Sequence, residues 1–178
     1  MEEQLAYKFL WNVKKYLGKW NSNIEIGKGA DASGGGAIAI GKKSDAHGSD
    51  ALALGTDSSA IGTSTTAVGG ESSAKGTAAT AFGWQASAEG ERAHAFGHLA
   101  SAEGARSLAI GEAASAKSDN STAIGNMASA DGIDALAIGD NASASGPSTT
   151  SIGGESVTEG PGSAAIGRQA CGVKGGNN

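Results

Sequence analysis

Apolar and polar positions alternate along this chain with a period of twice seven. One set of glycines is preceded by Ile26, Ile40, Leu54, Val68, Phe82, Phe96, Ile110, Ile124, Ile138, Ile152 and Ile166. Midway between them, a second set is preceded by Ser33, His47, Ile61, Lys75, Glu89, Glu103, Lys117, Asp131, Ser145 and Glu159, polar apart from Ile61. Taken together the glycines recur at every seventh position from Gly27 to Gly167. They fill 20 of 21 places, with Ser118 the exception, and no insertion breaks the phase. A repeat of this kind predicts a solenoid, in which each turn of chain stacks on the one before.

Two residues before the glycine stands Ala in 18 of 21 cases, the exceptions being Glu25, Ser151 and Thr158. Alternation with period two, bounded by Gly, predicts short strands. Side chains two and four before the glycine share one face, and those one and three before it share the other. Each coil then holds two short strands and two turns. The Ala-rich faces meet inside a thin coil. One strand presents Ile, Leu or Phe outward, and the other presents charge and Ser. Coils stacked at about 4.8 Å give a rod on the order of 48 Å long over ten steps.

The outward apolar positions Ile40, Leu54, Val68, Phe82, Phe96, Ile110, Ile124, Ile138, Ile152 and Ile166 form a continuous stripe. Leaving it in water forfeits roughly 1.5–3 kcal/mol for each large side chain. Long apolar stripes mark interfaces. The stripe therefore predicts self-association about a common axis, and a cyclic dimer or trimer would both close. His94 interrupts the stripe three residues before Gly97, which makes it a candidate axial ion site.

The run Asn120-Ser121-Thr122-Ala123-Ile124-Gly125-Asn126-Met127-Ala128 resembles the head repeat of the YadA-type trimeric autotransporter adhesins. Related copies are Ala37–Gly41, Ala51–Gly55 and Ala135–Gly139, and the resemblance covers about residues 24–167. It implies an all-β, left-handed parallel β-roll, three identical chains with the apolar stripe on the trimer axis, and a role in surface attachment. In that family the heads bind matrix proteins such as collagen. The resemblance carries Asn120 and Ser121 over as candidate ligand-surface residues, and Ile124 as a seam residue.

The remaining features refine this picture. Residues 1–23 place Leu5, Phe9, Val13, Tyr16, Leu17 and Trp20 at helical spacing. An amphipathic helix is expected there, capping the first coil, docking the rod on a larger assembly, or lying on a membrane. The roll is expected over 24–170, and 171–178 reads as a flexible tail. The chain carries no apolar signal-peptide core and no run near the ~18 residues of a membrane span. The absence of stalk and anchor segments suggests a virion fibre or decoration, with a bacterial adhesin head or an inert spacer as alternatives. Virion or bacterial surface is the expected location, and a host-surface protein or glycan the expected partner. A net charge of −5 speaks against nucleic acid as a partner. No catalytic constellation, metal motif or phosphate loop stands out, so neither enzyme activity nor a cofactor is expected. Trp84 and His98, one full period apart, should stack on neighbouring turns and offer a ligand contact. The single Cys171 reads as a spare thiol.

A charge on the stripe tests its role. Ile110→Asp is expected to abolish assembly, read as absolute mass by light scattering behind a sizing column. A soluble, well-folded monomer from this variant would refute the idea that the stripe must be covered.

Overall fold

The computed structural model describes residues 22–172, so most of the expected N-terminal helix lies outside the described residues. Strands of three residues alternate with strands of two. The triplets run from β1 (Ile24–Ile26) and β3 (Ile38–Ile40) to β21 (Ala164–Ile166). The doublets run from β2 (Asp31–Ala32) and β4 (Asp45–Ala46) to β22 (Cys171–Gly172). Each kind forms its own parallel sheet of 11 strands, in strict chain order. Every strand pairs with its counterpart one period along the chain, as in Ile24↔Ile38 and Ala46↔Ala60. The fold is thus an all-β parallel solenoid with ~14 residues per coil. It continues through Cys171 and Gly172, two residues past the expected end.

The core between the sheets is mostly alanine, with Ser and Thr in the remaining places, and residues such as Ala53, Ala81 and Ala109 are completely buried. Larger side chains do not fit because the two sheets belong to one short coil. Polar core residues are satisfied by hydrogen bonds, except Ser107, whose buried hydroxyl has no partner. Ser151 Oγ pairs with Ser156 Oγ at 2.8 Å. Thr158 Oγ1 donates to the Ser143 carbonyl at 3.4 Å. Buried Ser58 and Ser72 donate their hydroxyls to Gly55 and Gly69, three residues back and each at 2.9 Å, closing the turn from inside.

The two rows of glycine answer two different demands. At Gly83, after a triplet strand, φ is +139°, and a Cβ would lie 2.3 Å from the Gly97 carbonyl oxygen one coil on. Both backbone torsion and space exclude a side chain there. Gly104 belongs to the other row, whose φ is ordinary, and only the close approach to Ser118 at 2.0 Å forbids a Cβ. Ser118 sits in this second row. Its hydroxyl donates to the Asp131 carbonyl of the next coil at 2.6 Å, so an inter-coil hydrogen bond replaces the bare contact.

A third row carries a strain that sequence reading missed. The residue two places after the glycine is left-handed in 18 non-glycine cases, with φ between 51° and 59°. These include Leu99 and Met127, which gain nothing from this conformation locally. Their N–H groups donate to Trp84 and Glu112 carbonyls of the preceding coil at 3.0 and 2.8 Å. Stacking thus holds each turn in a shape that the isolated chain would avoid.

The first coil is closed by side chains. In later coils the doublet-strand alanine bonds its neighbour one coil earlier, as Ala46 accepts from Ser33 N–H. Ala32 has no such neighbour among the described residues. Asn23 Nδ2 donates to its carbonyl at 2.7 Å, and its own N–H donates to Glu25 Oε1 at 3.1 Å. Asn23 Oδ1 also accepts from Ala37 N–H at 3.2 Å. Glu25, an exception in the alanine row, therefore acts as part of the cap.

Gly83→Ala is expected to destabilise the roll by on the order of 3 kcal/mol, from backbone strain and overpacking together. Ser118→Gly should change stability by less than about 1 kcal/mol. Denaturant unfolding of the two variants checks the ranking.

Candidate functional site

The triplet sheet lays the apolar stripe on one outer face. Phe82 pairs in register with Phe96, Phe96 with Ile110, and Ile110 with Ile124. In the single chain this row is open to solvent, with Phe82 54% and Ile166 73% exposed. Ile40, Val68, Ile124, Ile138 and Ile152 are half-buried against their neighbours. The same strands carry Leu52, Leu108 and Leu136 two residues earlier, half-buried on that face. The outcome is an unpartnered apolar face running the length of the roll.

His94 lies in this face on β11 (His94–Phe96), between Thr80 and Leu108 in register. Its ring stacks with Phe96, with centroids 6.4 Å apart. Among the described residues of one chain, His94 belongs to no group of three candidate metal ligands. Any ion at His94 needs neighbouring copies to complete its shell.

Trp84 and His98 follow successive glycines and stack at 5.0 Å with their planes 15° apart. Both are exposed on a turn edge, and Glu112 lies 3.6 Å from His98 Nδ1. On the other side of Trp84 is Gly70, where a Cβ would approach the indole Cδ1 at 3.2 Å. Glycine there leaves the ring uncovered. Leu99 and Met127, on the next row of the turn, are exposed as well. Together these side chains give the turn edge an apolar shelf with one aromatic anchor.

The carried-over pair divides. Asn120 is exposed, accepting from Arg106 Nε at 2.7 Å and donating to Asp134 Oδ1 at 3.0 Å in a three-coil polar ladder. Ser121 is completely buried, and its hydroxyl is spent on the Ser118 carbonyl at 2.6 Å. It cannot touch a ligand, because four residues before a glycine the side chain points into the core. On the polar face Lys75 bonds Glu89 one coil on, as the spacing suggests. Lys117 does not reach back to Glu103 but pairs forward with Asp131 at 3.0 Å. Ile61 is 48% exposed in this polar row, and nothing in the structure explains it. Cys171 is exposed on the last doublet strand.

One constellation was missed in the sequence. Asp31, Asp45 and His47 bring their ligating atoms within 4.8 Å of one another. Residues 31, 45 and 47 match no familiar metal spacing, because the fold and not the chain brings 31 to 45. The available signal was the row itself. Asp31 and Asp45 occupy places that hold Ser59, Ser73, Ser87, Ser101, Ser115, Ser129 and Ser143 in the following coils.

Trp84→Ala is expected to lower stability by less than about 1 kcal/mol, since the indole is largely on the surface. Thermal unfolding of the variant checks this.

Comparison with protein families matches the YadA head domain repeat, in two-copy windows running from residues 32–58 to 144–170. Successive windows advance by one coil, as from 32–58 to 46–72. Among solved structures the chain is similar to one described as the collagen-binding domain of the Yersinia adhesin YadA. The two are 26% identical, covering 85% of this chain and 74% of that one, with a TM-score of 0.49. Comparison with curated sequences gives no match.

Proposed function

Since the chain belongs to the YadA head-repeat family, we propose that it forms a homotrimeric adhesive rod whose three apolar faces meet on the threefold axis. The unpartnered stripe of the triplet sheet carries this reading. A face of Ile, Leu, Val and Phe in register over 11 strands, with its larger residues exposed in the single chain, supports an interface there. Trimerisation buries it and leaves the charged doublet sheets and the turn edges outside. Three copies of His94 then face one another near the axis, where they would hold an anion or water.

Attachment is assigned to the outer surfaces. Trp84 is the strongest single anchor, because a large aromatic ring supplies apolar area at little entropic cost. The exposed Asn120 ladder offers polar contacts beside it. The partner is a host-surface protein or glycan, and the rod is displayed at a cell surface. Family membership favours this setting over the virion fibre that the missing stalk and anchor segments suggested. Residues 1–23 would join the rod to the larger assembly.

Light scattering at low micromolar concentration is expected to give a mass of three 17.2 kDa chains, about 52 kDa. A stable species of 17.2 kDa would overturn the trimer. For attachment, immobilised collagen is the first probe, chosen from the resemblance, followed by whole host cells. Trp84→Ala should weaken adhesion about tenfold or more while the mass is unchanged. Binding to no probe by an intact trimer would favour the inert spacer.

A further inference from the structure

We propose that Asp31, Asp45 and His47 form a binding site for a divalent transition-metal ion, of the kind that accepts both carboxylate and imidazole ligands, Zn²⁺ foremost. The site lies within one chain, on the doublet sheet, and does not depend on trimer formation. Asp31 and Asp45 are register partners on adjacent parallel strands, so their side chains project from the same face one coil apart. His47 follows Asp45 by two residues and therefore shares that face. The three ligating atoms lie within 4.8 Å of one another. Ligands of a single Zn²⁺ stand roughly 3–3.5 Å apart at metal–ligand distances near 2 Å. Small side-chain rotations would bring Asp31 in and open the 2.6 Å Asp45–His47 pair to that spacing.

Two observations separate this cluster from an ordinary solvated acidic patch. First, the packing is unfavourable without a cation. Like charges directly opposed on neighbouring strands repel, and seven of the following coils place a neutral Ser there. Asp45 Oδ1 is itself shielded from solvent and lies 2.6 Å from His47 Nε2 in an ion pair, while the two side chains stay 37% and 45% exposed. Second, the imidazole is already oriented. Ser33 Oγ contacts His47 Nδ1 from one coil earlier. With Nδ1–H donating to that hydroxyl, the Nε2 lone pair is left for the ion, the arrangement by which outer partners fix a metal-ligating histidine. Imidazole with two carboxylates suits Zn²⁺ and its first-row neighbours better than Ca²⁺ or Mg²⁺, which prefer oxygen alone. Water completes the shell on the solvent side.

The placement gives the ion a structural role. It bridges the first and second coils, beside the Asn23 and Glu25 cap, at the end where, among the described residues, stacking is one-sided. Binding would staple these coils together and relieve the Asp31–Asp45 repulsion.

Calorimetric titration of the full chain with Zn²⁺, after chelator treatment, tests the proposal. One ion per chain is expected. Asp31→Asn and His47→Gln should each weaken it at least about tenfold, and Ser33→Ala by a comparable factor through loss of ring orientation. Glu103→Gln, a carboxylate four coils along the His47 row, should leave affinity unchanged. Saturating Zn²⁺ should raise the melting temperature of the wild type by a few degrees and that of Asp31→Asn by much less. Should His47→Gln fail to keep the wild-type circular dichroism, Asp31→Asn and Ser33→Ala carry the comparison. Wild-type affinity weaker than about 1 mM, equal affinity in the variants, or a preference for Ca²⁺ over Zn²⁺ would overturn the assignment.

Discussion

The close approach of successive coils is the constraint from which the rest of this molecule follows. Parallel strands one period apart bring backbone onto backbone at the corners, where a Cβ at Gly83 would fall 2.3 Å from the next carbonyl oxygen. Glycine at the corners permits that approach. The approach in turn makes the coil narrow, and a narrow coil admits only alanine, serine and threonine to its interior. An alanine core buries little apolar area for each residue. Larger apolar side chains must therefore stand outside the coil, where in the single chain several of them, such as Phe82 and Ile166, are exposed. Family membership, apolar stripe and small-residue core are consequences of one stacking geometry.

Periodicity made most of this legible. The repeat gives the number of coils, the two unlike faces and the alanine interior directly, because each coil reproduces the same environment. The features that the period hides are those lying off the repeat or across it. The left-handed turns at Leu99 and Met127 are invisible because side chains there show no common preference. Their conformation is imposed by hydrogen bonds from the neighbouring coil. Glu25 is an exception in the alanine row and acts in the cap. Lys117 has acids one coil away on both sides, and sequence spacing alone does not decide between Glu103 and Asp131. Ser121 lies within the family motif, yet motif membership says nothing about which way a side chain points.

The candidate sites differ in the same sense. Trp84 and His98 could be found by counting, since a fixed register stacks residues one period apart. The Asp31, Asp45 and His47 cluster needed a comparison of each coil with the repeat average, because its ligands are ordinary surface residues one at a time. In a solenoid, chemistry that is specific to one place appears as a local departure from the row.

The direction of the backbone hydrogen bonds has a mechanical consequence. In parallel sheets these bonds run between strands, and here the strands succeed one another along the rod. Tension applied along the rod pulls each bond open along its own length, coil after coil, instead of shearing many at once. A coil that opens releases on the order of 48 Å of extended chain from a step of about 4.8 Å. A rod of this construction would gain on the order of 40 Å for each coil it gives up, dissipating a sudden load before the bond at its surface fails.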